Sequence, residues 1–253
     1  MLNLCVLLED SARTVPDRDA VVLGKTRLSY AQVNAAANQV ANLLVSIGIE
    51  PGDKVALSCP NLPYFPIVYY GILKAGAVVV PLNVLFKARE VAYHLNDSEA
   101  SAYFCFEGTA ELAMGQEGFA GFIKTDSCEQ FFLITADPTA AAPIEGAGTF
   151  GMAVAGQPPT FESRTTSPTD TAVILYTSGT TGQPKGAELT HTNMLLNAVG
   201  GARLHGRPEK HDVHLVALPL FHSFGQTVQM NGGFCEGATL VLLPRFDAKA
   251  ALE

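Results

Sequence analysis

The segment YTSGTTGQPKG, from Tyr176 to Gly186, concentrates the kinds of group that bind phosphate. Its residues with a hydroxyl group, a flexible backbone or a positive charge are Thr177, Ser178, Gly179, Thr180, Thr181, Gly182 and Lys185. Hydroxyl groups donate hydrogen bonds, glycine lets backbone N–H groups approach an anion, and a lysine side chain adds a mobile charge. Together these groups predict a binding site for a polyphosphate.

The spacing within this segment differs from that of the common phosphate-binding motif. In GxxxxGK followed by Ser or Thr, a second glycine stands five residues after the first. Here Pro184 stands five residues beyond Gly179, and Lys185 is followed by Gly186. A standard P-loop nucleotide hydrolase is therefore disfavoured. The alternative is a threonine-rich turn without a ligand, which leaves the density of phosphate-binding groups unexplained.

Three other sequence patterns that resemble functional motifs do not predict a binding or catalytic site. Residues 146–151 read GAGTFG, a literal GxGxxG, but the sequence predicts no strand before it and no helix after it, so we expect a flexible loop. Ser223 lacks the preceding glycine of a nucleophile elbow, which argues against a serine hydrolase. His211 and His214 are three residues apart, but no third metal ligand is evident.

The elements around residues 176–186, which we call the phosphate-type segment because of its phosphate-binding kinds of residue, alternate between strands and helices. Short apolar runs predict strands at AVVL, VALSC, AVVVP, AYFCF, FFLIT, TAVILYT, VHLVALP and ATLVLLP. Helical spacing separates several of them, and Ser29 is expected to cap the first such helix. This alternation predicts a parallel sheet covered by helices. The segment follows the strand TAVILYT, with a helix expected from about Thr190, and would lie at the ligand-binding carboxyl edge of the sheet.

Two further stretches complete the predicted organisation. Residues 136–170 are rich in proline, glycine, alanine and threonine, and we expect a long surface connection. Asp247 is expected to cap a short helix that runs to Glu253. Because that helix would have less than two turns, the chain is interpreted as cut at this point.

Composition limits the class of protein. Of the 253 residues, 48% are hydrophobic and 16% charged, which indicates a globular fold. A net charge of −8 argues against nucleic acid or an anionic membrane as the main partner. The five cysteines form no CxxC pair, which favours reduced thiols. Without a signal-peptide pattern or an apolar run of about 18 residues, we expect a cytoplasmic protein with no transmembrane segment.

The segment YTSGTTGQPKG resembles the signature of the adenylate-forming superfamily, which includes acyl-CoA synthetases, luciferases and the adenylation domains of peptide synthetases. Three more segments agree in order and spacing, namely LSY at 28–30, LKAGAVVVPLN at 73–83 and LPLFHSFG at 218–225. The resemblance covers the whole chain. It implies an α/β fold of interleaved subdomains, with mostly parallel sheets covered by helices.

The resemblance also implies a reaction and the residues that serve it. A carboxylic acid would be joined to AMP, and the acyl group would then pass to coenzyme A. The β- and γ-phosphates of ATP would be held by Thr177, Ser178, Gly179, Thr180, Thr181, Gly182, Gln183, Pro184 and Lys185. Lys185 would be catalytic, and the hydroxyl of Thr177 would share a Mg²⁺ ion with the phosphates. The carboxylate needs no general base because it is ionised at neutral pH.

Phe221, His222 and Gly225 are assigned to the acyl pocket by the same resemblance, and His222 would orient the substrate carboxylate. Amino-acid-activating relatives carry an aspartate beside the corresponding phenylalanine, where this chain has His222. A buried ammonium without a carboxylate partner is costly. We therefore expect a fatty acid or an aryl acid as the substrate. For an isolated histidine, the alternative is a core residue whose polar atoms are satisfied by backbone groups.

Members of this superfamily are longer than this chain. We therefore interpret residues 1–253 as the N-terminal portion of the ATP-binding domain, without the C-terminal lid. Such a portion is expected to be inactive alone and to self-associate through uncovered apolar surface. A non-catalytic protein that binds acyl chains or a partner is the alternative from another class. Acyl chain length, the choice between coenzyme A and a carrier protein as acceptor, and the oligomeric state stay open.

Overall fold

The structure of the protein is a computed structural model, which describes residues 2–177, 182–204, 211–249 and 251–252. The α-helices of these residues are α1 (Val6–Thr14), α2 (Tyr30–Ser46), α3 (Tyr64–Lys74), α4 (Ala88–Asp97), α5 (Met114–Phe122), α6 (Phe150–Val154), α7 (His191–Leu204) and α8 (Gly232–Glu236). A π-helical segment, Gly225–Asn231, runs directly into α8. Among the described residues, no helix is both long enough and apolar enough to cross a lipid bilayer.

Strands form two sheets in the described part of the chain. They are β1 (Asp19–Leu23), β2 (Thr26–Ser29), β3 (Lys54–Ser58), β4 (Val78–Pro81), β5 (Ala100–Phe106), β6 (Gln130–Ile134), β7 (Gly148–Thr149), β8 (Thr171–Thr177), β9 (Lys185–Thr190), β10 (Val213–Val216) and β11 (Thr239–Leu242). The larger sheet has the order β7-β6-β5-β3-β4-β8-β9, and the smaller has the order β10-β11-β1-β2.

The larger sheet is parallel except for its last pair. Strands β3 to β6 pair in parallel, β4 pairs in parallel with β8, and β8 pairs with β9 in the antiparallel direction. The interior strand β4 is buried at every position because helices cover both faces of the sheet. Its run of apolar residues is the pattern of such a strand, and the expected mostly parallel α/β sheet is confirmed.

The smaller sheet joins the two ends of the chain. Val21 of β1 pairs in parallel with Leu240 of β11, while β1 and β2 form an antiparallel hairpin. The intervening residues build the larger sheet before the chain returns to β10 and β11. This return interleaves the two halves, as the resemblance implied.

Helix α3 packs closely against α2 and contacts the π-helical segment. Ser29 caps α2 as expected, since its hydroxyl accepts from Gln32 N–H and the Gln32 side chain accepts from Ser29 N–H. At Gly71 of α3 a β-carbon would stand only 2.5 Å from Val40 of α2, so only glycine allows this approach. The buried amide of Asn231 accepts a hydrogen bond from Tyr70 and donates one to Tyr69, which links α3 to the π-helical segment. The tyrosine pair Tyr69 and Tyr70 therefore serves packing.

Two local expectations were wrong or incomplete. Residues 146–151 are not a simple loop, because they contribute β7 and the start of α6, whose first turn is capped by Thr149. The glycine at 151 is explained by packing, since a β-carbon there would stand 2.0 Å from the Pro138 carbonyl oxygen. Asp247 begins a hydrogen-bonded turn, in which Ala251 N–H donates to Asp247 O, and residues 250 and 253 of the expected helix lie outside the described residues.

Candidate active site

The phosphate-type segment connects the antiparallel strands β8 and β9. Thr177 pairs with Lys185, so the two residues face each other at the end of the hairpin where the connecting segment begins and ends. Residues 178–181, which are Ser178, Gly179, Thr180 and Thr181, lie outside the described residues. Strand β9 is an element that the sequence analysis missed, because a helix was expected soon after the segment. Lys185 consequently belongs to a strand and projects from its first position.

Gly182 and Lys185 suit an anion site in different ways. Gly182 has φ of +96°, a backbone conformation that glycine adopts without strain. The Lys185 side chain is exposed and makes no ion pair or hydrogen bond with the residues that the structure describes, while its backbone belongs to the β8–β9 pair. Its charge is therefore available to a ligand at the end of the hairpin.

Helix α4 holds both arms of the hairpin. The Tyr176 hydroxyl, at the end of β8, donates to Asp97 Oδ2 at 2.6 Å. The Tyr93 hydroxyl donates to the carbonyl oxygen of Pro184, just before β9, at 2.8 Å. Hydrogen bonding to Asp97 contributes, after burial, to a raised pKa of the Tyr176 phenol, which therefore stays protonated as the donor. These contacts fix where the phosphate-type segment leaves and rejoins the sheet.

The second candidate segment follows β10 at the carboxyl end of the smaller sheet. Phe221 is buried and His222 is exposed, and their ring centroids are 4.7 Å apart. The backbone N–H of His222 donates to the Pro219 carbonyl oxygen at 3.1 Å. Because His222 is exposed, it is not a core histidine whose polar atoms are satisfied by backbone groups, which was the alternative to a role in substrate binding.

A buried asparagine shapes the turn before Phe221. Asn61 is 2% exposed, and its Oδ1 accepts from Leu220 N–H at 2.9 Å. Its amide nitrogen donates to the carbonyl oxygens of Val216 and Leu218. One side chain thus satisfies three backbone groups of a turn more than 150 residues away in the sequence. Asn61 could not be identified from the sequence, since an isolated asparagine carries no signal of such a distant partner.

Two cavities meet at Phe221 and His222. The first, of about 550 Å³, is lined by Tyr176, Thr177 and Pro184 of the hairpin together with Phe221 and His222. The second, of about 590 Å³, is lined largely by apolar residues that include Leu218 and Phe246. Three residues line both cavities: Asn83, Phe221 and His222. Asn83 follows β4, a parallel neighbour of β8, so it reaches the same sheet edge.

His94 of α4 also lines the first cavity, although nothing in the sequence singled it out. It is 2% exposed and is flanked by the rings of Phe86 and Tyr176, each with its centroid 4.4 Å away. Its Nδ1 lies 2.7 Å from the Glu90 carbonyl oxygen, which can only accept, so Nδ1 carries the hydrogen. Burial lowers the pKa of His94, and its buried Nε2 has no partner among the described residues.

The structure brings together some of the predicted site residues. Thr177 and Pro184 line one cavity with Phe221 and His222, and their contacts with substrates stay predictions. Gly182, Gln183 and Lys185 are exposed on the hairpin outside that lining. Gly225 lies in the π-helical segment, where a β-carbon would stand 2.3 Å from the Pro219 carbonyl oxygen. Packing alone explains this glycine, and its contact with a substrate stays a prediction.

The described residues fit only part of the expected Mg²⁺ site. Thr177 offers one hydroxyl oxygen beside the first cavity, and no described residue of that lining carries a carboxylate. In proteins Mg²⁺ is commonly held by one or two carboxylates together with phosphate oxygens and water. A Mg²⁺ ion at this place would therefore depend chiefly on ligands other than these residues.

Interleaved, mostly parallel sheets with a glycine- and threonine-rich hairpin at the carboxyl edge define this chain as an adenylate-forming enzyme domain. The sequence profile of the AMP-binding enzyme family matches residues 8–253, and the chain belongs to that family.

Known proteins resemble the chain over nearly its whole length. It is 33% identical to a crotonobetaine/carnitine–CoA ligase of Proteus sp. (strain LE138) over 98% of this chain and 48% of that protein. The anthranilate CoA ligase AuaEII in complex with anthranoyl-AMP has a TM-score of 0.84 and 28% identity, over 99% of this chain and 46% of that one. ATP-bound MatB from Rhodopseudomonas palustris has a TM-score of 0.81 and 29% identity, over 100% and 47%. The chain thus spans about half the length of these relatives.

Proposed function

We propose that this chain is the N-terminal part of a CoA ligase that activates a carboxylic acid with ATP. The acid would form an acyl-adenylate with release of pyrophosphate, and the acyl group would then pass to the thiol of coenzyme A. Two comparisons support the chemistry: one related ligase was solved with an acyl-adenylate and another relative with ATP. Two relatives from Proteus are themselves crotonobetaine/carnitine–CoA ligases.

The position of His222 between the two cavities carries the proposal. In our interpretation the phosphates of ATP lie against the hairpin in the first cavity, and the acyl chain enters the second, more apolar cavity. The substrate carboxylate would then lie where the cavities meet, beside His222 and the ring of Phe221. Holding both reactants in this way replaces an encounter in solution by a reaction between neighbouring groups.

Charge is the main barrier to such a reaction, since an ionised carboxylate must approach a polyanion. Lys185 and the backbone N–H groups around Gly182 would offset the phosphate charge, most of all as pyrophosphate leaves. His222 would donate a hydrogen bond that orients the carboxylate for attack on the α-phosphorus. The Tyr93 and Tyr176 hydrogen bonds hold the hairpin that carries these groups.

We further propose a substrate without an α-ammonium group, with a fatty acid or an aryl acid as the class. The supporting observation is that His222 stands at the meeting point, while no described residue lining either cavity carries a carboxylate. A substrate ammonium would lack a charged partner there. We place the reaction in the cytoplasm, a proposal supported by five cysteines that are all free thiols.

A pyrophosphate-exchange assay tests the function. The protein is residues 1–253 together with any further residues that its gene encodes, and the acids form a panel of fatty, aryl and α-amino acids. We expect exchange that depends on ATP and on a fatty or aryl acid, and background exchange with amino acids. A preference for an amino acid would refute the proposed substrate class, and no exchange with any acid would count against the ligase itself.

Residues 1–253 alone are expected to form no acyl-adenylate. Strand β9, which carries Lys185, is largely exposed, so its contacts with phosphate are weakened by solvent and position the reactants poorly. The measurement is mass spectrometry of acyl-AMP after incubation of residues 1–253 with MgATP and the same acids. Robust acyl-AMP would show that these residues already contain a complete active site.

A further inference from the structure

A second group of ligand-type side chains lies away from both cavities of the candidate active site. Asp212, His214 and Glu236 each present one ligand atom, and these three atoms all lie within 4.8 Å of one another. All three residues are partly buried. None of them lines the cavities that contain Phe221 and His222.

The local fold explains why these side chains converge. Asp212 directly precedes β10 and His214 is its second residue, so both point to one side of an extended chain. Glu236 ends α8, and Gly237, with φ of +65°, turns the chain back toward β11. Gly233 of α8 has no side chain, and a β-carbon there would stand 3.2 Å from His214 Nδ1. The His214 ring therefore lies directly against the helix that carries Glu236.

A buried, unpartnered oxygen in the same place points independently to a ligand. A cavity of about 280 Å³ is lined by Asp212, His214, Gln229 and Glu236. The Gln229 amide nitrogen donates to the Leu215 carbonyl oxygen at 3.0 Å, which fixes the orientation of the amide. Its Oε1 is buried and has no hydrogen-bond partner among the described residues. A buried carbonyl oxygen of this kind is unfavourable unless a donor or a cation satisfies it.

We propose that Asp212, His214 and Glu236 bind a divalent transition-metal cation, with Gln229 Oε1 as a further ligand. Two carboxylates neutralise the charge of a divalent cation, and an imidazole nitrogen favours Zn²⁺ or its neighbours in the first transition row over Mg²⁺ and Ca²⁺. The bound cation would join strand β10 of the smaller sheet to helix α8. This proposal does not depend on the ligase reaction.

Metal titration of residues 1–253 tests the proposal directly. The metal-free protein, kept reduced, is titrated with Co²⁺ while its visible absorption is recorded, and with Zn²⁺ in a calorimeter. We expect one cation per chain. His214→Gln, Asp212→Asn and Glu236→Gln should each weaken binding by at least the roughly 10- to 100-fold that the loss of an outer-shell partner costs.

His211→Gln is the matched control, because His211 lies three residues from His214 but its Nε2 is 2.9 Å from the Thr239 hydroxyl oxygen. Its binding constant should equal that of the unmodified chain. Circular dichroism of each variant verifies folding, and the two carboxylate variants keep the test decisive if His214→Gln does not fold.

Three results would overturn the site. The first is equal loss of affinity in His211→Gln and His214→Gln, and the second is Mg²⁺ or Ca²⁺ displacing Co²⁺ at equal concentration. The third is a thiolate charge-transfer band that disappears in Cys235→Ser, since it would place the metal on the neighbouring cysteine.

Discussion

Two buried histidines should make the stability of this protein fall as the pH drops below about 6.5. His94 is 2% exposed and His191 is 1% exposed. Burial lowers the pKa of His94, against a smaller opposing effect of Glu90 and Asp97. Burial likewise lowers the pKa of His191, against a smaller opposing effect of Asp170. In both cases the folded protein resists a proton that the unfolded chain accepts.

The hydrogen bonds agree with neutral rings. His191 Nδ1 accepts from the Leu4 backbone N–H at 3.0 Å, and protonation of that nitrogen would break the bond. His94 Nδ1 donates to Glu90 O, and a second proton would fall on its buried and unpartnered Nε2. A charge at either ring would therefore be poorly solvated.

The size of the effect follows from proton uptake on unfolding. The unfolded histidines titrate near their ordinary value of 6.5, whereas the folded ones titrate lower. Below that value the unfolded chain binds up to one more proton per histidine, so each lowers the unfolding free energy by at most about 1.4 kcal/mol per pH unit. Their stabilisation is complete above the unfolded pKa and is lost as the pH falls toward the folded pKa. Together the two contribute a slope of at most about 2.7 kcal/mol per pH unit.

Urea unfolding between about pH 7.5 and 5.0 measures this slope. Asparagine can reproduce the Nδ1 contacts without titrating, so His94→Asn and His191→Asn should each flatten the slope, and the double variant should flatten it most. His222→Asn is the control, since it makes the same substitution at an exposed position. If the double variant keeps the full slope of the unmodified chain, the two histidines are not its source.

Three further predictions concern the hairpin and the sheet edge. In a catalytically active form of the protein, Lys185→Ala should lower kcat more than it raises the KM for ATP. Lys25 is also an exposed lysine, and Lys25→Ala should change neither constant. Unchanged turnover in Lys185→Ala would remove Lys185 from the mechanism. Tyr176→Phe should lower the unfolding free energy by about 0.5 to 1.5 kcal/mol through loss of the bond to Asp97, and an unchanged urea midpoint would contradict that. Strand β10 exposes Val213 and Leu215 at a sheet edge, so light scattering should detect concentration-dependent self-association that Leu215→Lys reduces; a monomer at every concentration would refute it.

Local sequence patterns were enough to predict most of the larger sheet. Strand β4 is a run of buried apolar residues, and Ser29 carries the capping pattern that starts α2, so each could be identified without its tertiary neighbours. Strand β9 could not, because it lies at the sheet edge with its first four residues exposed and needs no apolar run. The phosphate-type segment was therefore identified by its residue types, but its hairpin geometry was not predicted.

Long-range contacts account for what was missed in the candidate site. Asn61 bonds to Leu220, 159 residues away, and His94 reaches the cavity only because α4 packs beside the hairpin. Nothing in the neighbouring residues of either side chain encodes those partners. Their importance comes from the way that the sheets and helices pack, which is the part of the fold that single-residue patterns do not record.

The arrangement of His211 and His214 was also missed, although the sequence could have revealed that the two side chains lie on opposite sides of the chain. An extended chain alternates its side chains, so His214 shares a side with Asp212, while His211 falls on the other and meets Thr239. A spacing of three residues places two side chains on the same face of a helix but on opposite sides of a strand. The spacing of His211 and His214 was therefore interpreted with the period of the wrong element. The alternation of an extended chain could therefore have placed Asp212 and His214 on one side from the sequence alone, whereas the position of Glu236, at the end of α8, requires the folded structure.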